Sequence, residues 1–149
     1  ALECHGGPGY IEDSIMPRLY REAPLNSIWE GSGNVMGLDV LRAMTREPEA
    51  IKAFMMEVEK ARGNNMYLDK ALDELKIELE DNVSEEGNMR FVTERMALTL
   101  QGALLTNHAP QFVSEAFCRS RLGSYYLGSF GTLPSSCDFD KIIERAMVK

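Results

Sequence analysis

The chain has 149 residues, of which 44% are hydrophobic and 26% are charged. This balance is typical of a folded globular protein and excludes a fully disordered chain. The formal net charge is −7, from 16 Lys and Arg against 23 Asp and Glu, so the chain as a whole repels a polyanion such as DNA.

The charge is unevenly divided along the sequence. Residues 1–87 hold 9 basic and 18 acidic side chains, whereas residues 88–149 hold 7 and 5. No uncharged apolar stretch is long enough to cross a bilayer, and we expect neither a secretory leader nor a membrane anchor. Three scattered cysteines (Cys4, Cys118 and Cys137) are typical of a reducing compartment rather than of a disulfide framework, and we expect a cytoplasmic protein.

Two glycine-rich breakers frame the first part of the chain. Residues 6–9 read Gly-Gly-Pro-Gly, and residues 30–34 read Glu-Gly-Ser-Gly-Asn. Between them, the sequence predicts a short helix from Ser14 to Glu22, with Ser14 as its cap and Pro17 in its first turn.

After Ser32 the pattern is helical almost throughout. The helix that follows is apolar around much of its circumference, which predicts that neighbours bury it on more than one side. Pro48 opens the next helix and Gly63 is its expected stop. A stripe of leucines then predicts an amphipathic helix that ends near Asn82: Leu68, Leu72, Leu75 and Leu79.

The last third of the chain predicts three more helices. One runs from about Arg90 to Asn107, a short one opens at Pro110, and Asp138 caps the last. Residues 84–87 fit either a short helix or a loop, and residues 123–134 fit a loop or a broken helix. No alternation of β-branched residues occurs, so we predict an all-α bundle of about five to seven helices. The polar residues 45–49 are the expected boundary between residues 1–46 and an additional region, 47–149.

The chemistry-bearing residues lie in the two glycine-rich segments. A carboxylate, Glu30, follows Ile28 and Trp29, and apolar neighbours raise the pKa of a carboxylate and make it a usable base near neutral pH. The following turn opens a helix, whose free N–H groups attract anionic ligand groups. A simpler interpretation stays open, in which Glu30 is a solvated loop residue, Ser32 is only a cap and residues 6–9 are an ordinary turn. No strand precedes these glycines, which excludes a dinucleotide-binding fingerprint.

Three blocks of sequence together resemble the C-terminal signature of acyl-CoA dehydrogenases. They are the turn at residues 6–10 (GGPGY), the helix at residues 18–23 (RLYREA) and the turn at residues 28–32 (IWEGS). The stretch from Ala23 to Ala43, with residues 116–122 (AFCRSRL) and 130–134 (FGTLP), is similar to the AidB-like, adaptive-response branch of that family. The resemblance covers nearly the whole chain, loosely between Pro48 and Gly87.

The resemblance implies an FAD-dependent dehydrogenation of an acyl-CoA thioester. In the family, the Glu of the last turn removes the α-proton of the substrate while hydride passes from the β-carbon to the flavin, and Glu30 occupies that position. Its N–H would help polarise the thioester carbonyl, and Gly31 would lie against the substrate. The resemblance also implies FAD contacts on two segments: Ser32, Gly33 and Asn34 in one, and Glu3, Gly6 and Gly7 in the other, the latter reaching the flavin of a neighbouring subunit.

Two residues depart from the family pattern. Pro8 replaces the usual Asn, which removes a donor and fixes the turn, and Glu3 replaces the usual Gln near an anionic cofactor. The chain has no strand pattern for the family's β-domain, so we expect a fragment of a larger flavoprotein. By itself this fragment is expected to bind FAD poorly and not to turn over substrate.

Three classes of function stay open. The first is part of a dehydrogenase with Glu30 as base, and the second is a DNA-associated flavoprotein in which Arg119 and Arg121 contribute to a basic patch. Those arginines equally fit helix caps or ion pairs, since the region around them is nearly neutral. The third is a helical module for assembly into a homodimer or homotetramer. Scattered Cys and His residues predict no metal site and no cysteine nucleophile.

Overall fold

The computed structural model describes residues 1–81, 86–123 and 131–147. Within those residues the chain forms eight α-helices and no strand, so the predicted all-α fold is confirmed. The helices are α1 Gly7–Tyr10, α2 Met16–Glu22, α3 Gly33–Arg46, α4 Pro48–Glu59, α5 Met66–Asp81, α6 Met89–His108, α7 Gln111–Arg121 and α8 Phe139–Ala146. Three short 3₁₀ segments accompany them: Glu3–His5, Ala23–Ser27 and Glu86–Asn88. Helix α1, a single turn, accounts for the excess over the predicted five to seven.

The core lies among helices α4 to α7. The predicted leucine stripe of α5 is buried, and Leu68, Leu72 and Leu75 are fully inaccessible to solvent. One cluster joins this stripe to α4, α6 and α7 through Val58, Ala103 and Cys118, among others. Because each of these helices contributes one apolar face to a shared interior, the packing is that of a helical bundle.

Helix α3 joins the N-terminal segment to that bundle by crossing α6. At the crossing, a Cβ built on Gly37 would lie 3.2 Å from the backbone N of Arg90 and the carbonyl C and O of Met89. Only a residue without a side chain allows the two backbones to approach this closely without displacement. The far end of α3 is anchored by Met44, which packs with Met89 and Val92 of α6.

Ion pairs fasten α4 to α5 at the end of the bundle near their connecting turn. Glu59 accepts from Arg62 and lies 2.6 Å from Lys76 Nζ, and Arg62 also donates to Asp73 at 2.9 Å. The hydrogen bond from Arg62 is the main reason that the pKa of Glu59 falls to about 2, with Lys76 adding to it. The hydrogen bonds that Arg62 donates to Glu59 and to Asp73 raise the pKa of Arg62.

Helix α8 is capped as predicted, because the side chain of Asp138 accepts a hydrogen bond from the N–H of Lys141 at 3.2 Å. Arg119 of α7 donates a hydrogen bond to Ser136 and thereby ties down the segment that leads into α8. Most of the predicted loop at residues 123–134 lies outside the described residues, as do residues 84 and 85 of the segment 84–87, for which a helix or a loop was open.

Several local expectations need correction. Helix α2 begins at Met16 with Ile15 in the cap position, and Ser14 instead accepts from the N–H of Met16 at 3.3 Å. Helix α4 ends at Glu59, before Gly63, which takes a φ of +85° in the turn that follows. The expectation that α3 is buried on more than one side is wrong for the described chain. Only Gly37 and Met44 of that helix are buried. Val40 and Leu41 pack partly buried against the core, whereas Val35, Met36 and Leu38 are exposed.

In the described ranges, no helix combines the length and apolarity that crossing a membrane requires.

Candidate functional site

The first glycine-rich segment folds into a compact double turn. Gly6, at φ +61°, ends the 3₁₀ turn Glu3–His5 and leads directly into the single turn of α1. Gly9 is buried, and a Cβ there would lie 2.4 Å from the carbonyl oxygen of Leu2. The close approach explains why a glycine stands before Tyr10.

A cavity of about 470 Å³ separates this turn from α2. Two tyrosines, Tyr10 and Tyr20, line it together with Leu2, and Arg21 and Glu12 pair in it through two hydrogen bonds of 2.7 and 3.3 Å. The hydrogen bond from Arg21 lowers the pKa of Glu12 from its ordinary value. Two of the sequence blocks in the resemblance thus lie against one another, as their order in the sequence requires.

The second segment places Glu30 in an unusual backbone conformation. Glu30 has a φ of +60°, and it is the only residue other than glycine with a positive φ among those described. Gly31 follows at φ +116°, so two left-handed residues in succession turn the chain into α3. A left-handed conformation costs a residue with a Cβ about 1 kcal/mol or more, and such residues concentrate at functional sites.

The side chains around this turn are exposed. Trp29 donates from its indole Nε1 to Asn26 Oδ1 at 3.2 Å but leaves 54% of its surface accessible, and Ile28 leaves 67%. Glu30 is exposed as well. From the sequence, Ile28 and Trp29 were expected to surround the Glu30 carboxylate with apolar groups. Among the described residues they do not enclose it, because both side chains are exposed.

The start of α3 presents free backbone donors beside a guanidinium group. Ser32 is the N-cap residue, yet its side chain makes no capping hydrogen bond, so the first N–H groups of this 14-residue helix keep their donor capacity. Arg90, from α6, donates from Nη1 to Asn34 Oδ1 at 3.2 Å, and its guanidinium carbon lies 3.0 Å from the place of a Cβ on Gly33. The helix dipole, the N–H groups and Arg90 favour an anion at this position, although Glu86 places a carboxylate on the same cavity.

Arg90 is the residue of this site that the sequence reasoning did not assign to it. It lies far along the chain and belongs to a different helix, so no local motif includes it. The signal that could have found it is Gly37, since a glycine inside an apolar helix indicates close approach by another element. That element is α6, at Met89 and Arg90.

The predicted site residues form two groups. Ser32, Gly33 and Asn34 lie together with Arg90, and Asn34 and Arg90 line one cavity of about 320 Å³. The other group, with Glu3, Gly6 and Gly7, lies at the opposite end of the N-terminal segment. The cavity beside α1 does not have Glu30 among its lining residues, so it does not join the carboxylate to the glycine turn.

The two arginines predicted for a basic patch lie on α7. Arg119 is engaged with Ser136, and Arg121 lines a cavity between α7 and α8 together with Arg145. Both are half-buried rather than extended into solvent. A search of residues 1–81, 86–123 and 131–147 finds no cluster of three His, Cys, Asp or Glu side chains able to hold a metal ion.

Comparison with known proteins places similarity along most of the chain. Residues 1–45 match the C-terminal domain of acyl-CoA dehydrogenases. The chain is 38% identical over 122 residues, or 82% of its length, to AidB of Escherichia coli (strain K12), which is named as an acyl-CoA dehydrogenase. It is 35% identical over 72% of its length to acyl-CoA dehydrogenase family member 11 of Caenorhabditis elegans.

A shorter match concerns the N-terminal segment. An acryloyl-CoA reductase (NADH) of Anaerotignum propionicum is 35% identical over 46 residues, which is 31% of this chain and 12% of that protein. This chain spans 22% of the length of the E. coli relative and 21% of that of the C. elegans relative. The similarity therefore concerns about a fifth of each of the two longer matches.

Proposed function

Because this chain belongs to the acyl-CoA dehydrogenase superfamily, as a C-terminal part similar to AidB, we propose that it carries the catalytic base of an FAD-dependent flavoprotein. The reaction is the α,β-dehydrogenation of an acyl-CoA thioester. The observation that carries the proposal is Glu30, held at φ +60° immediately before the donor-rich start of α3. A carboxylate fixed by the backbone beside unpaired N–H donors supports a role in proton abstraction, because the donors can hold the group that carries the proton.

The chain's own residues have separate roles in this reaction. The carboxylate of Glu30 accepts the α-proton of the thioester, and its backbone N–H donates to the thioester carbonyl, which stabilises the negative charge that develops on that oxygen. Gly31 has no side chain and allows the substrate to approach the turn. A bound flavin supplies the acceptor for the hydride of the β-carbon, so that the bond between the two carbons becomes double.

The start of α3 fits a group of the kind that FAD carries. FAD contains a pyrophosphate, and the N–H groups after Ser32 together with Arg90 are donors suited to phosphate oxygens. We assign Ser32, Gly33 and Asn34 to this contact. Glu3, Gly6 and Gly7 are assigned, from the family resemblance, to the flavin of a neighbouring subunit.

The exposure of the site indicates what else is required. Glu30, Ile28 and Trp29 are open to solvent in this chain, and a general base in bulk water lacks the enclosure that dehydrogenation needs. We propose that the remainder of the flavoprotein and a second subunit, in a homodimer or homotetramer, cover this surface. The residues described here are then inactive alone and active in that assembly.

The test replaces Glu30 in the full-length flavoprotein that contains this chain. Addition of an acyl-CoA is expected to bleach the flavin absorbance, and Glu30→Gln is expected to slow the bleaching by about 10²–10⁴-fold, the usual contribution of a positioned base. Glu80→Gln, an exposed carboxylate of α5, is the matched control and should bleach at the unaltered rate. Equal bleaching in both variants would exclude Glu30 as the base.

A further inference from the structure

The cavity between α7 and α8 has a volume of about 400 Å³, and no residue of the glycine-rich segments lines it. Its walls are mainly apolar: Val113 and Phe117 come from α7, Ile142 and Ala146 come from α8, and Leu133 comes from the segment between them. The size is within the range of sites for small organic ligands, about 300–1,000 Å³. An apolar tail in this cavity would be removed from water on two sides by aromatic and aliphatic carbon.

Polar contacts outside the cavity hold its walls in position. Arg119 donates to Ser136, which fixes the segment before α8 to α7, and Asp138 caps the first turn of α8. The hydroxyl of Ser120, which lines the cavity, donates to the carbonyl of Ala116 at 2.7 Å and so is bound within its own helix. The space between the helices is therefore maintained by neighbours rather than filled by them.

The charge on the cavity is of one sign. Arg121 of α7 and Arg145 of α8 both line it, and its described lining includes no carboxylate. Arg145 forms no ion pair within the part of the chain that the structure describes, while Arg121 has a further interaction of its own. Two guanidinium groups at an apolar cavity attract an anionic group and disfavour a cationic one.

We propose that this cavity binds a small amphiphilic anion. The apolar tail lies between Phe117 and Ile142, and a carboxylate, sulfate or phosphate head lies at Arg121 and Arg145. No residue of the N-terminal segment lines the cavity, so the proposal is independent of the role of Glu30 and stands or falls separately from it.

Calorimetric titration of the full chain with octyl sulfate and with octanoate tests the proposal directly. Both are expected to bind one per chain, below the concentration at which they form micelles. Octyltrimethylammonium has the same tail with a positive head, and inorganic sulfate has the head without the tail. Neither is expected to bind, because the cavity needs the tail for burial and the anion for the two arginines.

Substitutions locate the binding. Arg145→Gln is expected to weaken octyl sulfate binding about fivefold, the effect of one partly exposed charged contact. Ala146→Trp places an indole at an exposed position that lines the cavity and is expected to abolish binding without overpacking the core. Arg18→Gln, which removes an exposed arginine of α2, is the matched control and should leave the affinity unchanged.

Three results would overturn the proposal. Equal binding of octyltrimethylammonium would show that charge plays no part. Binding insensitive to Ala146→Trp would place the ligand on the exposed apolar surface of the N-terminal segment, where a change in Trp29 fluorescence would report it. Binding of a DNA duplex that falls steeply with salt and is lost in Arg145→Gln, with no octyl sulfate binding, would assign the arginines to nucleic acid.

Discussion

Residues 1–45 and residues 48–123 differ in how far their apolar side chains are buried. The second region buries a continuous core on α4 to α7, in which Leu68, Leu72 and Leu75 are inaccessible. Among the described residues, the first region contributes only Met44 to the buried hydrophobic core. Instead it exposes aromatic and aliphatic groups to solvent: Tyr10, Ile11, Ile15, Leu19, Tyr20, Leu25, Ile28, Trp29, Val35, Met36 and Leu38.

The second region therefore has a hydrophobic core of its own, whereas the first region leaves most of its large apolar side chains in contact with solvent. So many exposed apolar side chains within one segment favour an interaction surface there. The first region, which holds Glu30 and both glycine-rich segments, is attached to the bundle through the crossing of α3 and α6. The second region, which includes Arg90, Arg119 and Arg121, packs its own core. Stability measurements on this chain should therefore respond to changes in the second region and hardly to changes in the first.

The largest expected effect comes from cutting into the core. Leu72→Ala is expected to lower the free energy of unfolding by about 2–5 kcal/mol, since it removes a fully buried side chain and leaves a cavity. Leu19→Ala, at a position that is 49% exposed on α2, is expected to change it by less than about 0.5 kcal/mol. Urea unfolding followed by circular dichroism measures both. Similar losses for the two variants would contradict the contrast between the regions.

A smaller effect is expected from acidification. Because the pKa of Glu59 is lowered from 4.5 to about 2 in the folded chain, its pairing stabilises the fold above pH 4.5, and this contribution is lost as the pH falls toward 2. Glu59→Gln is expected to cost about 1 kcal/mol at neutral pH, given its partial exposure to solvent, and to flatten the acid dependence.

The matched control for this experiment is Glu12→Gln. Glu12 also pairs with an arginine, but in the N-terminal segment, where 71% of its side chain is exposed. The acid-unfolding profile of this variant should follow that of the unaltered chain. A flattened profile in Glu12→Gln and not in Glu59→Gln would reverse the assignment of the acid-sensitive contact to the second region.

The smallest expected effect has the opposite sign and concerns the turn before α3. Glu30→Gly is expected to raise the free energy of unfolding by about 0.5 kcal/mol, because glycine takes a φ of +60° without strain. The greater freedom of glycine in the unfolded chain offsets part of the gain from the lost strain. Glu30→Gln keeps a Cβ and should leave the stability unchanged. Thermal unfolding of the two variants side by side measures the difference. A loss of stability in Glu30→Gly would mean that the carboxylate has a structural role.

Periodicity was sufficient to predict the helices of the bundle, because the leucine stripe of α5 recurs at helical spacing and is buried as that spacing predicts. The helix starts at Pro48 and Asp138 followed from local chemistry, since a proline in the first turn and an Asp cap act within their own segment. The exposure of α3 could not be predicted. The helix does carry the apolar residues that the pattern describes, but a sequence pattern does not show which surface is available to cover them.

In the candidate site too, features set by local sequence could be predicted, whereas features set by contacts between helices could not. The sequence predicted a site at Glu30 and the residues after it, and the structure has two successive left-handed residues there, Glu30 and Gly31. It could not identify Arg90, which reaches Asn34 only because two distant helices cross. Nor could it predict that the glycine turn and Glu30 lie in separate places, since their relation depends on packing between elements rather than on spacing along the chain.

The crossing at Gly37 also determines how firmly the start of α3 is positioned. Gly33 lies one helical turn before it, and backbone meets backbone at the crossing without an intervening side chain. Flexible rotamers at that pivot therefore cannot absorb a displacement. A shift of α6 by a fraction of an ångström would tilt α3 as a rigid body and move the first N–H groups of that helix with it. The orientation of those donors is therefore set by a helix–helix contact that touches no ligand.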